Sequence, residues 1–188
     1  MNKKNILILA LSFGLYLTAC NNGTNSPDPE KQANSENKEI KAIDADDSKF
    51  MTEIASAGMM EIQAGQIALQ RGISQQVKDF GQEMITDHTK AGNELQALAQ
   101  QKNVVLPTAI SSVDQADIDK LNKIDSKDFD KTYMDMMVDG HKLVIDKFQG
   151  VINHPEDADV KTWAQNTLPT LQHHLEMAKV DKDIIDKQ

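Results

Sequence analysis

Cysteine is nearly absent from this chain. Cys20 is the only one in 188 residues, so no disulfide can form within it. Cationic charge is also scarce. Lys and Arg total 20 against 29 Asp and Glu, a net charge of −9, and the cations form no stripe along any helix. That excludes a nucleic-acid partner, and acidity of this size serves solubility. After residue 20 no apolar run approaches the ~20 residues that a bilayer span requires. Alternating strand patterns are missing too, and only the 103–110 region is ambiguous. Catalytic templates fail as well. There is no Gly-x-Ser-x-Gly, no His-Glu-x-x-His, no phosphate loop and no free cysteine nucleophile, so the templates assign no reaction and lean against an enzyme without deciding the question.

The N-terminus is organised differently from the rest. Met1 to Lys4 is basic, Ile6 to Leu17 is apolar, and Leu17-Thr18-Ala19-Cys20 follows. A basic start, a short greasy core and small residues before a cut mark a secretory signal over residues 1–19. Leu-Thr-Ala-Cys resembles the lipobox of bacterial lipoproteins, in which the cysteine is acylated and becomes the new N-terminus. The expectation is a lipid anchor on Cys20, and hence membrane attachment without a spanning helix. By analogy, Asn21 and the lack of an acidic run behind it place the anchor in the bacterial outer membrane, facing the periplasm. Residues 20–47 are rich in Asn, Ser and Pro and poor in apolar side chains. They are expected to form a flexible tether, because they cannot repay the entropy of ordering.

Apolar periodicity then predicts four long helices within a bundle domain over 48–180, with a C-terminal tail at 181–188. The first runs from Phe50 to Arg71 on the stripe Phe50, Ile54, Ala57, Ala64 and Ala68, capped by Asp47 or Ser48 and ended by Gly72. The second runs from about Ser74 to Lys102 on Val77, Phe80, Met84, Leu95 and Leu98. The third spans about Ser126 to Asn153 on Phe129, Tyr133, Met137, Val144 and Phe148. The fourth begins at Pro155 and carries Val160, Ala164, Leu171 and Ala178, with Pro169 inside it. The connection 103–125 is long. Ser112 and Gln115 have capping-box spacing, and a short helix with Ile118 and Leu121 follows. Echoes such as Val77-Lys78-x-Phe80 with Val160-Lys161-x-Trp163 fit two fused hairpins. The predicted class is all-α: a four-helix, ferritin-like bundle of two hairpins joined by a long crossover with a short extra helix.

Each long helix carries one strong hydrogen-bonding residue where an apolar one belongs: Glu61, His88, His141 and His174. At ~1.5 Å per residue, Glu61 and His88 lie within roughly 3 Å in height, and His141 is near them. His174 is expected to be off by roughly 8–9 Å on the same count. Buried, such groups must be paired. One reading is a structural network that only fixes helix packing, with Glu61 accepting from imidazoles and Tyr133 beside it. The other is a metal site, since imidazole and carboxylate suit zinc, copper, iron or manganese. Abundant methionine with imidazole would favour Cu(I), although methionine is more often a filler of irregular cores. The Glu-x-x-His pairs of di-iron bundles are absent, which argues against ferroxidase chemistry.

Several motifs carry a family resemblance. Gly58-Met59-Met60-Glu61-x-x-x-Gly65-x-x-Ala68-Leu69, Met84-Ile85-Thr86-Asp87-His88-Thr89-Lys90, Leu106-Pro107-Thr108, Tyr133-Met134-Asp135-x-Met137-Val138-x-x-His141 and Leu168-Pro169-Thr170-Leu171-x-x-His174-Leu175-x-Met177-Ala178 resemble the bacterial domain-of-unknown-function 4142 family. The resemblance covers about Ser48 to Lys179. It implies a ferritin-like helical bundle in exported or envelope proteins, without an assigned reaction. The family's recurring polar positions fall here on Glu61, Asp87, His88, Asp135, His141 and His174. Gly140 departs from the pattern, which more often has Asp before that histidine. The functional expectation is an envelope lipoprotein that binds a metal or serves in stress handling through its inward Glu/His cluster, with Asp87, Asp135 and Tyr133 supporting it. A non-catalytic binding or structural module is the alternative.

Overall fold

The computed structural model describes residues 27–41 and 43–187. The predicted signal segment and Cys20 lie outside the described residues. Within them the chain is all-helical: α1 (Pro29–Ile40), α2 (Ala45–Arg71), α3 (Gln75–Lys102), α4 (Ser112–Lys123), α5 (Ser126–Asn153) and α6 (Ala158–Ile185). None of these helices is long and apolar enough to cross a membrane. α2 packs along α3 and α5 along α6. The two hairpins meet through α2 against α5 and α3 against α6.

Polar clamps at the hairpin ends set the register. At one end the Asp130 carboxylate accepts from the Ile73 and Ser74 amides at 2.9 and 2.7 Å, tying the start of α5 to the α2–α3 turn. Beside it the Arg71 guanidinium donates to the carbonyls of Leu121 and Asn122, both at 2.7 Å, and lies 5.0 Å over the Phe129 ring. At the other end Lys102 pairs with Asp157 and Asp159 at 2.8 and 2.7 Å. There the buried Asp47 carboxylate accepts from the Asp157 amide at 2.6 Å.

α2 and α3 approach closely at two glycines. A Cβ on Gly65 would stand 2.6 Å from the Gly81 carbonyl oxygen, and one on Gly81 would stand 2.9 Å from that of Gly65. Neither obstacle is a side chain that can swing away. Gly65→Ala should therefore cost about 1–3 kcal/mol in overpacking, despite its better helix propensity. Gly58→Ala, whose Cβ would meet nothing within 4 Å, should instead stabilise by roughly 0.5–1 kcal/mol. Urea denaturation of the two variants checks the opposite signs.

Four expectations need correction. First, part of the expected tether is a helix. α1 packs on α2, and polar bonds rather than apolar area hold it there. The Asn37 amide donates to the Val105 carbonyl at 2.9 Å and accepts from the Val105 amide at 2.7 Å. Thr52 donates to Asn34 at 2.7 Å, and Asp28 caps α1 while accepting from the Ser112 amide at 2.7 Å. Second, α2 starts at Ala45, capped by Asp44 rather than Asp47 or Ser48. Third, the short helix is capped by Ser111 with Asp114, not Ser112 with Gln115. Fourth, α6 starts at Ala158, because Asp157 accepts from the Asp159 and Val160 amides. It runs through Pro169 and on to Ile185, where a tail was expected, and Lys182 there pairs with Asp135 and Asp186.

The core has two apolar halves. One gathers Phe50, Leu95, Phe148, Trp163 and Leu171. The other gathers Phe80, Met84, Phe129, Tyr133 and Met137. On every long helix the inward polar residue falls where one half gives way to the other. His88 lies between Met84 and Leu95, His141 between Met137 and Val144, and His174 between Leu171 and Ala178. The bundle thus carries a polar layer across its middle.

Candidate metal centre

All four residues of that layer are buried: Glu61 at 3% exposure, His88 at 6%, and His141 and His174 at 0%. The three imidazole rings stand 5.3 to 5.9 Å apart, centroid to centroid. His174 is no outlier in height. Starting α6 three residues later than Pro155 removes ~4.5 Å of the expected offset. Its Nδ1 lies 3.4 Å from His141 Nε2.

Hydrogen-bond partners fix which nitrogens hold protons. The Met137 carbonyl, 2.9 Å from His141 Nδ1, can only accept, so that nitrogen carries the hydrogen. Glu61 Oε1 lies 3.6 Å from the same nitrogen, and Glu61 Oε2 lies 3.1 Å from His88 Nδ1. His174 Nε2 donates to Asp87 Oδ2 at 2.9 Å. In neutral rings the lone pairs then sit on His88 Nε2, His141 Nε2 and His174 Nδ1. His88 Nε2 is buried and has no hydrogen-bond partner among the described residues. His141 Nε2 and His174 Nδ1 face one another with no proton to share.

Protonation does not relieve this at neutral pH. Burial pushes the His174 pKa down to about 4, and the neighbouring His88 and His141 push the same way, against the Asp87 hydrogen bond. Burial also lowers the His88 pKa, more than Glu61 raises it. A ring that binds its proton less readily when folded weakens the fold in acid, because the unfolded chain takes that proton up first. The contribution of His174 is intact above 6.5 and is lost as the pH falls toward about 4. Chelator-treated protein should show a lower urea midpoint at about pH 5 than at about pH 7.5, and His174→Gln should shrink the difference.

The geometry suits a cation. One ligand nitrogen from each of His88, His141 and His174 lies within 4.8 Å of the other two. Two nitrogens bound at ~2.0–2.1 Å on a tetrahedral ion stand ~3.3–3.4 Å apart, which matches the His141–His174 pair. Each ring is oriented from its other nitrogen by a carboxyl or a carbonyl, as metal-binding histidines usually are. Glu61 was expected among the ligands. Its oxygens instead approach the two Nδ1 atoms, so it orients His88 and His141.

The remaining predicted residues divide. Asp87 joins the centre through His174, and with Glu83 it forms a second, half-buried trio on that histidine. His173 Nε2 stands 3.6 Å from Glu83 at the surface. Asp135 does not join, because its half-exposed carboxylate pairs with Lys182 at 2.6 Å. Tyr133 is fully buried and makes no hydrogen bond to Glu61. Burial, with the Glu61 charge second, pushes its hydroxyl pKa up. Sequence reasoning missed the Met137 carbonyl, four residues before His141 on the same helix. It also missed Phe80 as a wall of the centre, with its ring 6.5 Å from His174 and edge-on to it.

The fold and this layer define a class: an all-helical bundle with an enclosed histidine–carboxyl centre. The family described as "Domain of unknown function (DUF4142)" matches residues 30–180, and the chain belongs to it. The match includes most of α1. No curated protein matches the chain. Among solved structures, the chain is similar to a DUF305 fragment from Deinococcus radiodurans. The TM-score is 0.66 at 9% identity, over 78% of this chain and 99% of that one. It is also similar to CopM in the Cu(I)-bound form. There the TM-score is 0.61 at 16% identity, over 71% of this chain and 92% of that one. At these identities the likeness is one of fold.

Proposed function

We propose that this protein binds one transition-metal ion, copper or zinc, through His88 Nε2, His141 Nε2 and His174 Nδ1. The observation that carries the reading is the convergence of three lone pairs in a buried layer where no donor from the described residues meets them. An all-imidazole donor set favours copper and zinc over manganese and leaves magnesium and calcium aside. The likeness in fold to CopM in the Cu(I)-bound form supports copper. Glu61 and Asp87 would hold the rings in the required tautomers and balance the ion's charge. With three protein ligands a fourth position stays open, so storage, transfer or delivery of the ion all suit the centre.

We also infer the ferritin-like arrangement, from two hairpins joined by the 103–125 connection and its short α4. A lipid anchor at Cys20, holding the domain at the envelope, completes the proposal. Tag-free protein titrated with Cu(I) or Zn(II) and then desalted should retain one ion per chain by elemental analysis. Retention of none would return the layer to a purely structural role. Fractionation of cells expressing Cys20→Ser tests the anchor separately, since the variant should leave the membrane fraction.

A further inference from the structure

We infer that the bundle carries a second site, for a small, neutral, apolar molecule. A cavity of about 290 Å³ lies among α2, α3, α5 and α6, with Leu106 and Pro107 of the connection on its wall. An apolar cavity of ~150 Å³ takes up benzene, so this one has room for a two-ring body. Leu95, Phe148 and Leu171 give it apolar walls. The cavity runs from exposed Gly92 and Gln96 to buried Glu61 and His88, and so reaches the polar layer from the side of the first apolar half.

Two features set the chemistry of the occupant. Trp163 lines the cavity at 8% exposure, and its Nε1–H has no hydrogen-bond partner among the described residues. Its N–H is closed off even to a water molecule, so the cavity offers the occupant the carbon surface of the indole and no donor from Trp163. No Lys or Arg lines the cavity, whereas Glu61 does, so an anion is disfavoured. The walls at Gly58 and Gly92 are thin. A Cβ on either would meet nothing within 4 Å, so side chains there can close the cavity without straining the helices.

This inference does not require an ion in the histidine centre, and its test is independent of metal uptake. Trp163 is the only tryptophan in the chain, so its emission reports the cavity directly. The probes are 4-phenylcyclohexanone and its hydrocarbon analogue phenylcyclohexane, titrated into the tag-free protein. Both should change the Trp163 emission saturably, and the hydrocarbon should bind the more tightly, because no polar group opposes its transfer from water to apolar walls. By calorimetry, Trp163→Phe should bind both probes in the same order. Gly58→Leu with Gly92→Leu should abolish binding of both, with the melting temperature not lowered and the metal stoichiometry unchanged. The inference is overturned if the wild-type protein binds neither probe saturably, if the ketone binds more tightly than the hydrocarbon, or if the folded double variant binds like wild type.

Discussion

His141→Ala is expected to remove high-affinity metal binding. The ring supplies one of three converging nitrogens, and its removal also frees the Met137 carbonyl and one contact of Glu61. The affinity loss should exceed the roughly 10–100-fold that follows when only an orienting partner is removed. Glu61→Gln and Asp87→Asn supply that comparison, since each keeps an acceptor near its imidazole and should fall within the 10–100-fold range. His173→Ala is the control. That ring is largely exposed and pairs with Glu83 at the surface, so binding should stay within error of wild type. Competition titration against a chromogenic chelator reads all four. If Glu61→Gln lost as much as His141→Ala, Glu61 would be a ligand and the tautomer assignment would fail.

Phe80→Ala should give the largest loss of stability, about 3–5 kcal/mol by urea denaturation. The ring is fully buried between Tyr133 and His174, edge-on to both, in the apolar half below the polar layer. Two rigid helices flank the void it would leave, and the Gly65–Gly81 contact prevents α2 and α3 from closing further. The variant should also bind metal more weakly, because His174 loses the wall that holds its plane. Phe80→Leu should recover most of the stability, since it keeps most of the apolar volume. A cost below about 1 kcal/mol for Phe80→Ala would mean that the wall is more yielding than this packing implies.

The four long helices were legible because each keeps a period near 3.6 over seven turns or more, and the polar interruptions stood out against that regularity. Period alone therefore placed His88, His141 and His174 inside the bundle. It could not tell which ring nitrogen each would present, because that depends on the partner each ring meets: Glu61 of α2 for His88, Asp87 of α3 for His174, and the Met137 carbonyl of its own helix for His141. Asp135 misled for a related reason. It sits two residues before Met137 and beside the stripe, and only the extension of α6 to Lys182 shows that it pairs at the surface. α1 was illegible to an apolar criterion, since Asn34 and Asn37 dock it through hydrogen bonds to residues far along the chain. The start of α6 depended on a choice between Pro155 and Asp157 as punctuation. Asp157 prevailed because it caps the helix and also meets Asp47 and Lys102.

X-ray absorption at the metal edge, on tag-free protein loaded with one equivalent of copper or zinc, tests the account most directly. Three imidazole nitrogens at ~2.0–2.1 Å, with the multiple-scattering signature of histidine and no heavier neighbour, are the predicted shell. A shell dominated by oxygen or sulfur, or one that persists unchanged in His141→Ala, would place the ion elsewhere and contradict the assignment of the buried layer as its site.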